Sequence, residues 1–427
     1  MGERWDVVVV GAGLAGLAAA ATAAGGGVSV LVADGREPGG RAATDRVGRF
    51  RFNRGAHALY RSGPGRPVLD RLGVRVSAAP PPATDAHGRL GDRVGPLPWG
   101  DEALARTDLI DAADKPGLAR VLATMDRWRP ADLAGRTARA WFDDLGLGPT
   151  ARRYLETQAR LVTYVVDFDR VSADLVVTQL QQDPLVDYLH GGWAGLVDQL
   201  ARAAQRRGAT LAAGLKVGRV TPDGPWVRVD AGDRTLVARQ VVLAAGAPSA
   251  NARLLPEPPA AWARLGPRLD VAALDLGLDR VPERRVVLGL DRPLYLSMHA
   301  PPADLAPPGG AVVHLLRYLR PGEDLATADA RAELRGHAEV AGIDPASVEE
   351  SRYLHRMVVT GALPVPELGG MAGRPRVDDT GSPGVLVAGD WVGPEGHLAD
   401  TALASGELAG RAAATAAARA ATTHAVS

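Results

Sequence analysis

The chain has 427 residues, 46% of them hydrophobic, 49 basic against 49 acidic side chains, a formal net charge of zero and no cysteine. That composition excludes a disordered chain, gives no basic face for a nucleic-acid partner, and excludes disulfides, thiolate metal sites, cysteine nucleophiles and any cofactor bonded through cysteine. The length exceeds one hydrophobic core, so two domains are expected; with no signal-peptide pattern and no apolar run of ~18 residues, the expectation is a cytoplasmic chain without a spanning helix, peripheral membrane contact being left open.

In chain order, "WDVVVV" (5–10) is a short β-branched run typical of a strand buried on both faces. The alanine-rich stretch 14–25 predicts a helix and "VSVLVAD" (28–34) a second strand, together a β-turn-α-β unit. "AAPPPATD" (78–85) predicts a loop. From about 100 to 186 the pattern is helical, with Asp132 and Ser172 at N-cap positions and Pro149 near a first turn. "GGWAGLVDQLARAAQRRG" (191–208) predicts a helix between two glycine punctuations, followed by short strands to about 248. Strands return over 269–320, then a helix within 324–342, a parallel strand in "PGVLVAGD" (383–390), a last helix over 399–419 and a frayed tail in the last dozen residues. The predicted fold is α/β: a Rossmann-type nucleotide-binding domain assembled from 1–62, 186–250 and 350–427, with an inserted, partly helical α+β substrate domain from 63–185 and 251–349.

The first loop carries chemistry. Gly11, Gly13 and Gly16 form G-x-G-x-x-G after a strand and opening a helix. In that context the first glycine allows the tight turn, the second lets backbone approach a pyrophosphate, and the third lets helix and strand pack closely, with the helix N-terminus facing the anion. Asp34, 23 positions after Gly11 at the tip of the second strand, is placed to bond ribose hydroxyls. Only one such fingerprint occurs; "VVLAAGAPSAN" has a strand and a glycine turn but not the motif. This argues for one dinucleotide rather than two.

Further segments resemble the flavin-containing amine oxidase and phytoene desaturase superfamily: "GGR" (39–41), "FRFNRGAHALY" (50–60, with Asn53 where aspartate is commoner), "HGGWAGLVDQLARAAQRRGATLAAGLKV" (190–217) and "GVLVAGDWVGPEGHLADTALASGELAGRAA" (384–413). The loop between Asp34 and "GGR" is one residue shorter than the family's usual one. The resemblance implies a non-covalent FAD held by Gly11, Gly13, Ala15, Gly16, Asp34, Gly39, Gly40, Arg41, Ala56, His57, Val217, Gly389, Asp390, His397, Leu398 and Ala399. Within that set, Arg41 would reach the pyrophosphate and flavin ends, the backbone at Val217 the adenine, and Asp390 the ribityl or phosphate region. The N–H groups of Leu398 and Ala399 would open the last helix toward the flavin's N1–C2 carbonyl, where positive dipole charge stabilises a reduced, anionic ring.

The implied activity is hydride transfer from a small-molecule substrate to flavin N5, with O2 or a quinone as acceptor. Carbon–carbon desaturation or a related isomerisation of an apolar or cyclic substrate is favoured, since "RMVVTGALPVPELGG" (356–370) resembles the desaturase and protoporphyrinogen oxidase branch. Amine oxidation is the alternative, weakened because only Lys115 and Lys216 exist and neither fits the lysine that many amine oxidases place near N5. A non-catalytic nucleotide-binding subunit is the third reading. His397, His57 and Trp391 are the candidate catalytic residues, each with a purely structural alternative: a helix-start contact, a structural histidine, plain packing. No metal site is expected, because the His397–Asp400 pair has no third ligand. The sequence leaves the oligomeric state open.

Overall fold

The computed structural model describes residues 3–82, 85–182 and 185–426, with side chains described to Ala420. The first strand, Glu3–Val10, ends in four valines that are at most 5% exposed. It lies at the centre of a seven-stranded sheet, flanked in parallel by Val30–Asp34 and Arg234–Leu243. Thr210–Ala213 pairs in parallel beyond Val30–Asp34, and Val385–Val387 pairs in parallel with the end of Arg234–Leu243. Antiparallel strands Trp226–Ala231 and Val217–Asp223 complete the sheet. Three chain segments distant in sequence thus contribute strands to one sheet.

Two helices lock this domain. The first, Leu14–Gly25, is alanine on most of its buried face. The last, Leu398–Val426, crosses it through Gly406 and Gly410. A Cβ at Gly410 would stand 2.3 Å from the Ala19 carbonyl oxygen, and one at Gly406 2.3 Å from that of Ala15. Backbone touches backbone here, so neither helix can move aside cheaply. Gly410→Val is expected to destabilise the fold by about 3 kcal/mol through overpacking, read as a lowered urea midpoint with an unchanged slope; an unchanged midpoint would show that the helices are not so closely docked.

A second seven-stranded sheet carries the inserted domain, in the order Val348–Thr360, Leu269–Leu278, Ala311–Tyr318, Leu294–Ala300, Val286–Gly289, Ala86–Leu90 and Arg93–Pro96. Helices Lys115–Ala123, Ala138–Asp144, Pro149–Thr163 and Ala173–Gln181 pack around Trp141, Phe142 and Leu155 as a helical layer. A small sheet of Leu59–Tyr60, Val186–Leu189 and Ala78–Ala79 sits where the two domains join.

Four expectations need correction. The boundary at 350 falls inside Val348–Thr360, which pairs along Leu269–Leu278 in the second sheet, so the nucleotide domain resumes only after Thr360. Asp132 lies within a 3-10 turn, Pro130–Leu133, rather than at a helix start. Thr137 is the side-chain cap of Ala138–Asp144, accepting from the Ala140 N–H at 3.1 Å. The last dozen residues continue the final helix to Val426 instead of fraying. Ser172 precedes Ala173–Gln181 without a capping bond, its hydroxyl donating to the Ala134 carbonyl. Part of the 78–85 loop, 83–84, lies outside the described residues, and Ala78–Ala79 forms a short strand.

Candidate functional site

The glycine turn is built as its spacing requires. A Cβ on Gly16 would lie 1.9 Å from the Gly11 carbonyl oxygen, so only glycine lets the first helix start that close to the first strand. Gly13 is the opposite case: a Cβ there would meet nothing within 4 Å, and the same holds at Gly40. Backbone at both points borders open space beside the N-terminus of the first helix, a cradle suited to a pyrophosphate. Ala15, 7% exposed, lies in the first turn of that helix.

Asp34 closes this loop from the side. One carboxylate oxygen accepts from the Ala12 N–H at 2.8 Å and the other from the Arg36 N–H at 2.9 Å. The Gly39 N–H donates to the Ala12 carbonyl at 2.9 Å. The short loop between Asp34 and Gly39 is therefore latched at both ends onto the glycine turn. Val217 is 8% exposed and follows Lys216, whose side chain would be 3.1 Å from a Cβ on Gly35, so the two segments predicted for ribose and adenine lie side by side.

Arg41 and Asp390, 349 residues apart, form a bidentate ion pair: Nη1 donates at 2.9 Å and Nη2 at 2.6 Å. Arg41 Nη1 also donates to the Val359 carbonyl at 3.0 Å, and Asp390 accepts from the Gly361 N–H at 2.9 Å. The sequence assigns these two residues separately to a ligand; the structure joins them to each other. Asp390 is 3% exposed on its side chain while Arg41 keeps 39%, so Arg41 is the member with surface left to offer. Gly389, before Asp390, has its N–H bound to the Ser405 hydroxyl at 3.0 Å.

At the start of the last helix, Leu398 adopts φ +53°, a left-handed conformation costing a branched side chain on the order of 1 kcal/mol. Among the described residues the only other non-glycine with positive φ is Tyr164, at +63°. Their neighbours are bonded directly, His397 Nε2 donating to the Thr163 carbonyl at 3.1 Å. Two strained turns thus face each other across one hydrogen bond, fixing how the N–H groups of Leu398 and Ala399 are presented. Arg374 braces the same loop from behind, donating to the Gly396 carbonyl at 2.9 Å.

His397, a candidate catalytic residue by sequence, is held by a contact from the helical insertion. Its one donor is committed to Thr163, Nδ1 is buried without a partner, and burial with the nearby Arg374 charge lowers its pKa to about 4. Trp391 is 1% exposed, donates its indole N–H to the Gly246 carbonyl at 2.8 Å and packs edge-on against Trp262; it is core. His57 differs. Nδ1 bonds the Gly55 carbonyl at 3.1 Å, its ring meets Trp193 edge-on, and it stays half-buried and neutral, burial lowering its pKa to about 4. Nε2 is left as an acceptor. Asn53 anchors the helix Trp193–Arg206, accepting from the Trp193 N–H at 3.0 Å and from the Thr44 hydroxyl, which in turn accepts from the Ala194 N–H.

Sequence reasoning missed the tyrosines. Five of the seven in the chain, Tyr60, Tyr164, Tyr188, Tyr295 and Tyr318, come from five segments and lie close enough to raise one another's pKa on top of the effect of burial. Tyr164 packs edge-on against Tyr318 and donates to the carbonyl of Ala56, itself 6% exposed. The Tyr60 hydroxyl reaches the Val162 carbonyl, and Tyr188 stacks on His299 with ring centroids 3.7 Å apart. Beside them Asp275 accepts from His314 and from Arg352, so that buried charge is cancelled. Only "LVTYV", "VDYLH" and similar single aromatics mark this cluster in sequence, without any spacing rule. Both lysines lie elsewhere: Lys115 Nζ bonds the Ala105 carbonyl and Lys216 abuts Gly35.

Comparison with known proteins agrees with this layout. The NAD(P)-binding Rossmann-like domain family matches residues 9–72. No curated protein matches the sequence. Similar solved structures include an oxidoreductase from Methanosarcina mazei (TM-score 0.74, 20% identity, covering 94% of this chain and 99% of that one). Cyclohexylamine oxidase from Brevibacterium oxydans superposes with TM-score 0.71 at 19% identity, covering 97% and 99%. A proposed protoporphyrinogen oxidase from Exiguobacterium gives 0.70 at 16%, also covering 97% and 99%. No helix is long and apolar enough to cross a membrane, and among the described residues no group of three metal-ligating side chains occurs. The chain therefore carries a Rossmann-like dinucleotide-binding domain within the two-domain fold shared with these oxidoreductase structures.

Proposed function

We propose that this protein is an FAD-dependent oxidoreductase that removes hydride from a carbon of a neutral, largely apolar small molecule, in a carbon–carbon desaturation or related reaction. The observation that carries the substrate class is the packing of five tyrosines with His57 and His299 in one cluster, the phenols neutral at ordinary pH and both histidines held neutral by burial. An apolar molecule gains from such walls, whereas a charged one loses its hydration without an opposing charge.

Bound FAD would supply the two-electron acceptor for the hydride. The cradle at Gly13 and Gly40 fits its pyrophosphate, Arg41 the phosphate or flavin oxygens, and the N–H groups of Leu398 and Ala399 a ring carrying negative charge. His57 Nε2 is the acceptor we assign to orient a substrate hydroxyl or N–H. The strain at Leu398 and Tyr164 supports a working site over a purely structural nucleotide, since such strain clusters at ligand clamps.

Anaerobic mixing with cyclic and polyene substrates should bleach the flavin bands of the FAD-loaded protein. Bleaching by amines alone would overturn the reading. Amine oxidation is the second reading, favoured by aromatic walls that can face an ammonium through their π systems and by the fold shared with cyclohexylamine oxidase. A colourless protein that does not take up FAD would remove both. Asp34→Ala should weaken FAD binding about tenfold, because the carboxylate both orders the glycine turn and offers lone pairs to ribose; equal affinity by fluorescence titration would refute that role.

A further inference from the structure

A cavity of about 340 Å³ lies away from the glycine turn, between the helix Pro149–Thr163 and one end of the second sheet. Five arginines line it, Arg139, Arg153, Arg160, Arg317 and Arg320, against three carboxylates, Glu156, Asp291 and Glu323. The carboxylates do not neutralise it evenly. Glu156 pairs with Arg139 and Arg152, and Glu323 with Arg317. Among the described residues, no carboxylate lies within 4.0 Å of the guanidinium of Arg153, Arg160 or Arg320.

Arg160 is the informative one. It is 8% exposed, and burial lowers its pKa, so its charge is held at a cost. Only one of its nitrogens is engaged: Nη2 donates to the Thr157 hydroxyl at 3.1 Å and to the Gly289 carbonyl. Among the described residues Nε and Nη1 have no hydrogen-bond partner, and Arg160 lines the cavity. A guanidinium with two free donors at the base of a positively lined cavity is a receptor for a carboxylate or phosphate. Val166, Phe168, Leu290 and Pro293 supply an apolar wall beside it.

We propose that this cavity binds a small organic anion, a carboxylate or phosphate ester on an apolar body, with Arg160 as the anchor and Arg153 and Arg320 closing on the anion from the rim. The site is separate from the glycine turn, yet Arg160 adjoins the tyrosine cluster. Arg160 lies over the Tyr318 ring at 5.8 Å, and Tyr318 packs on Tyr164. The proposal does not depend on the identity of the dinucleotide, because none of these residues belongs to the Rossmann-like domain.

The test uses calorimetric titration of the FAD-loaded protein with benzoate and phenyl phosphate, with benzamide as the neutral counterpart. Saturable binding of either anion, absent for benzamide, is expected. Arg160→Gln should weaken it about ten- to a hundred-fold. Because Arg160 is buried, the exposed pair Arg153→Gln and Arg320→Gln provides the independent check, each weakening the anion with no change in the flavin spectrum. Equal binding of benzamide, or anion binding that survives all three substitutions, would overturn the proposal. So would anion binding that shifts the flavin bands and is indifferent to Arg153 and Arg320, which would report a site beside the flavin instead.

Discussion

Asp390→Ala is expected to lower stability by about 3 kcal/mol and to release bound cofactor. The carboxylate is 3% exposed and accepts from both ends of Arg41 and from the Gly361 N–H, so its removal leaves a guanidinium and a backbone donor without partners. Breaking a buried pair typically costs ~3–5 kcal/mol. Because 39% of the Arg41 side chain remains accessible, water can solvate part of the stranded charge, which sets the lower end of that range. Burial alone would raise the Asp390 pKa, but the charge and hydrogen bonds of Arg41 outweigh it and bring it down to about 2. A carboxylate whose folded pKa is depressed contributes stability above its unfolded value, near 4, and loses it as pH falls toward 2. Urea unfolding at pH 7 should therefore separate wild type from Asp390→Ala widely, and the gap should narrow in that acid window. Arg41→Met combined with Asp390→Leu should recover much of the loss, since two apolar groups leave no orphaned charge. A single-variant loss under about 1 kcal/mol, or a double variant worse than either single one, would show that the pair is not the clasp it resembles.

The same pair shows which parts of the site could be read from sequence. Gly11, Gly13, Gly16 and Asp34 are legible because one local unit sets their geometry: a strand, a turn, a helix and a second strand within 32 residues. Arg41 and Asp390 are each legible as polar residues of a nucleotide domain, but their union is not, since nothing local connects positions 349 residues apart. His397 illustrates a different failure. Its place beside Leu398 follows from the helix start, yet its chemistry is decided by the Thr163 carbonyl, which arrives from the helical insertion. The tyrosine cluster is the extreme case, with five segments contributing one ring each. Strand and helix periodicity does report the second sheet and the helical layer, because those patterns are local, whereas the strand Val348–Thr360 alternates weakly between half-buried and exposed positions and so gave no clear sign of which sheet it joins.

Asp400→Asn is expected to have the opposite effect to Asp390→Ala, raising stability at neutral pH. Asp400 lies in the first turn of the last helix, where the helix dipole favours an anion. It is nevertheless 2% exposed, packed against the loop at Gly63 and Gly65, and burial raises its pKa to about 6 although the Gly65 N–H donates to it at 3.1 Å. A carboxyl whose folded pKa exceeds its unfolded one binds its proton more tightly when folded. Below about pH 4 it is protonated in both states and neutral in its effect; from there to about pH 6 folding is progressively penalised, and above pH 6 the full penalty applies, up to about 3 kcal/mol for some two pH units. Asparagine keeps a carbonyl for the Gly65 N–H and cannot ionise. Wild type and variant should therefore unfold alike at pH 4, and the variant should gain up to about 3 kcal/mol by pH 8. The charge also bears on the proposed chemistry. Two residues before Asp400, Leu398 presents the N–H we assign to a negatively charged reduced ring, so removing a nearby negative charge should make the bound cofactor easier to reduce. Parallel stability curves across pH 4–8 would refute the burial argument, and an unshifted or lowered midpoint potential in the variant would place Asp400 outside the electrostatic reach of that ring.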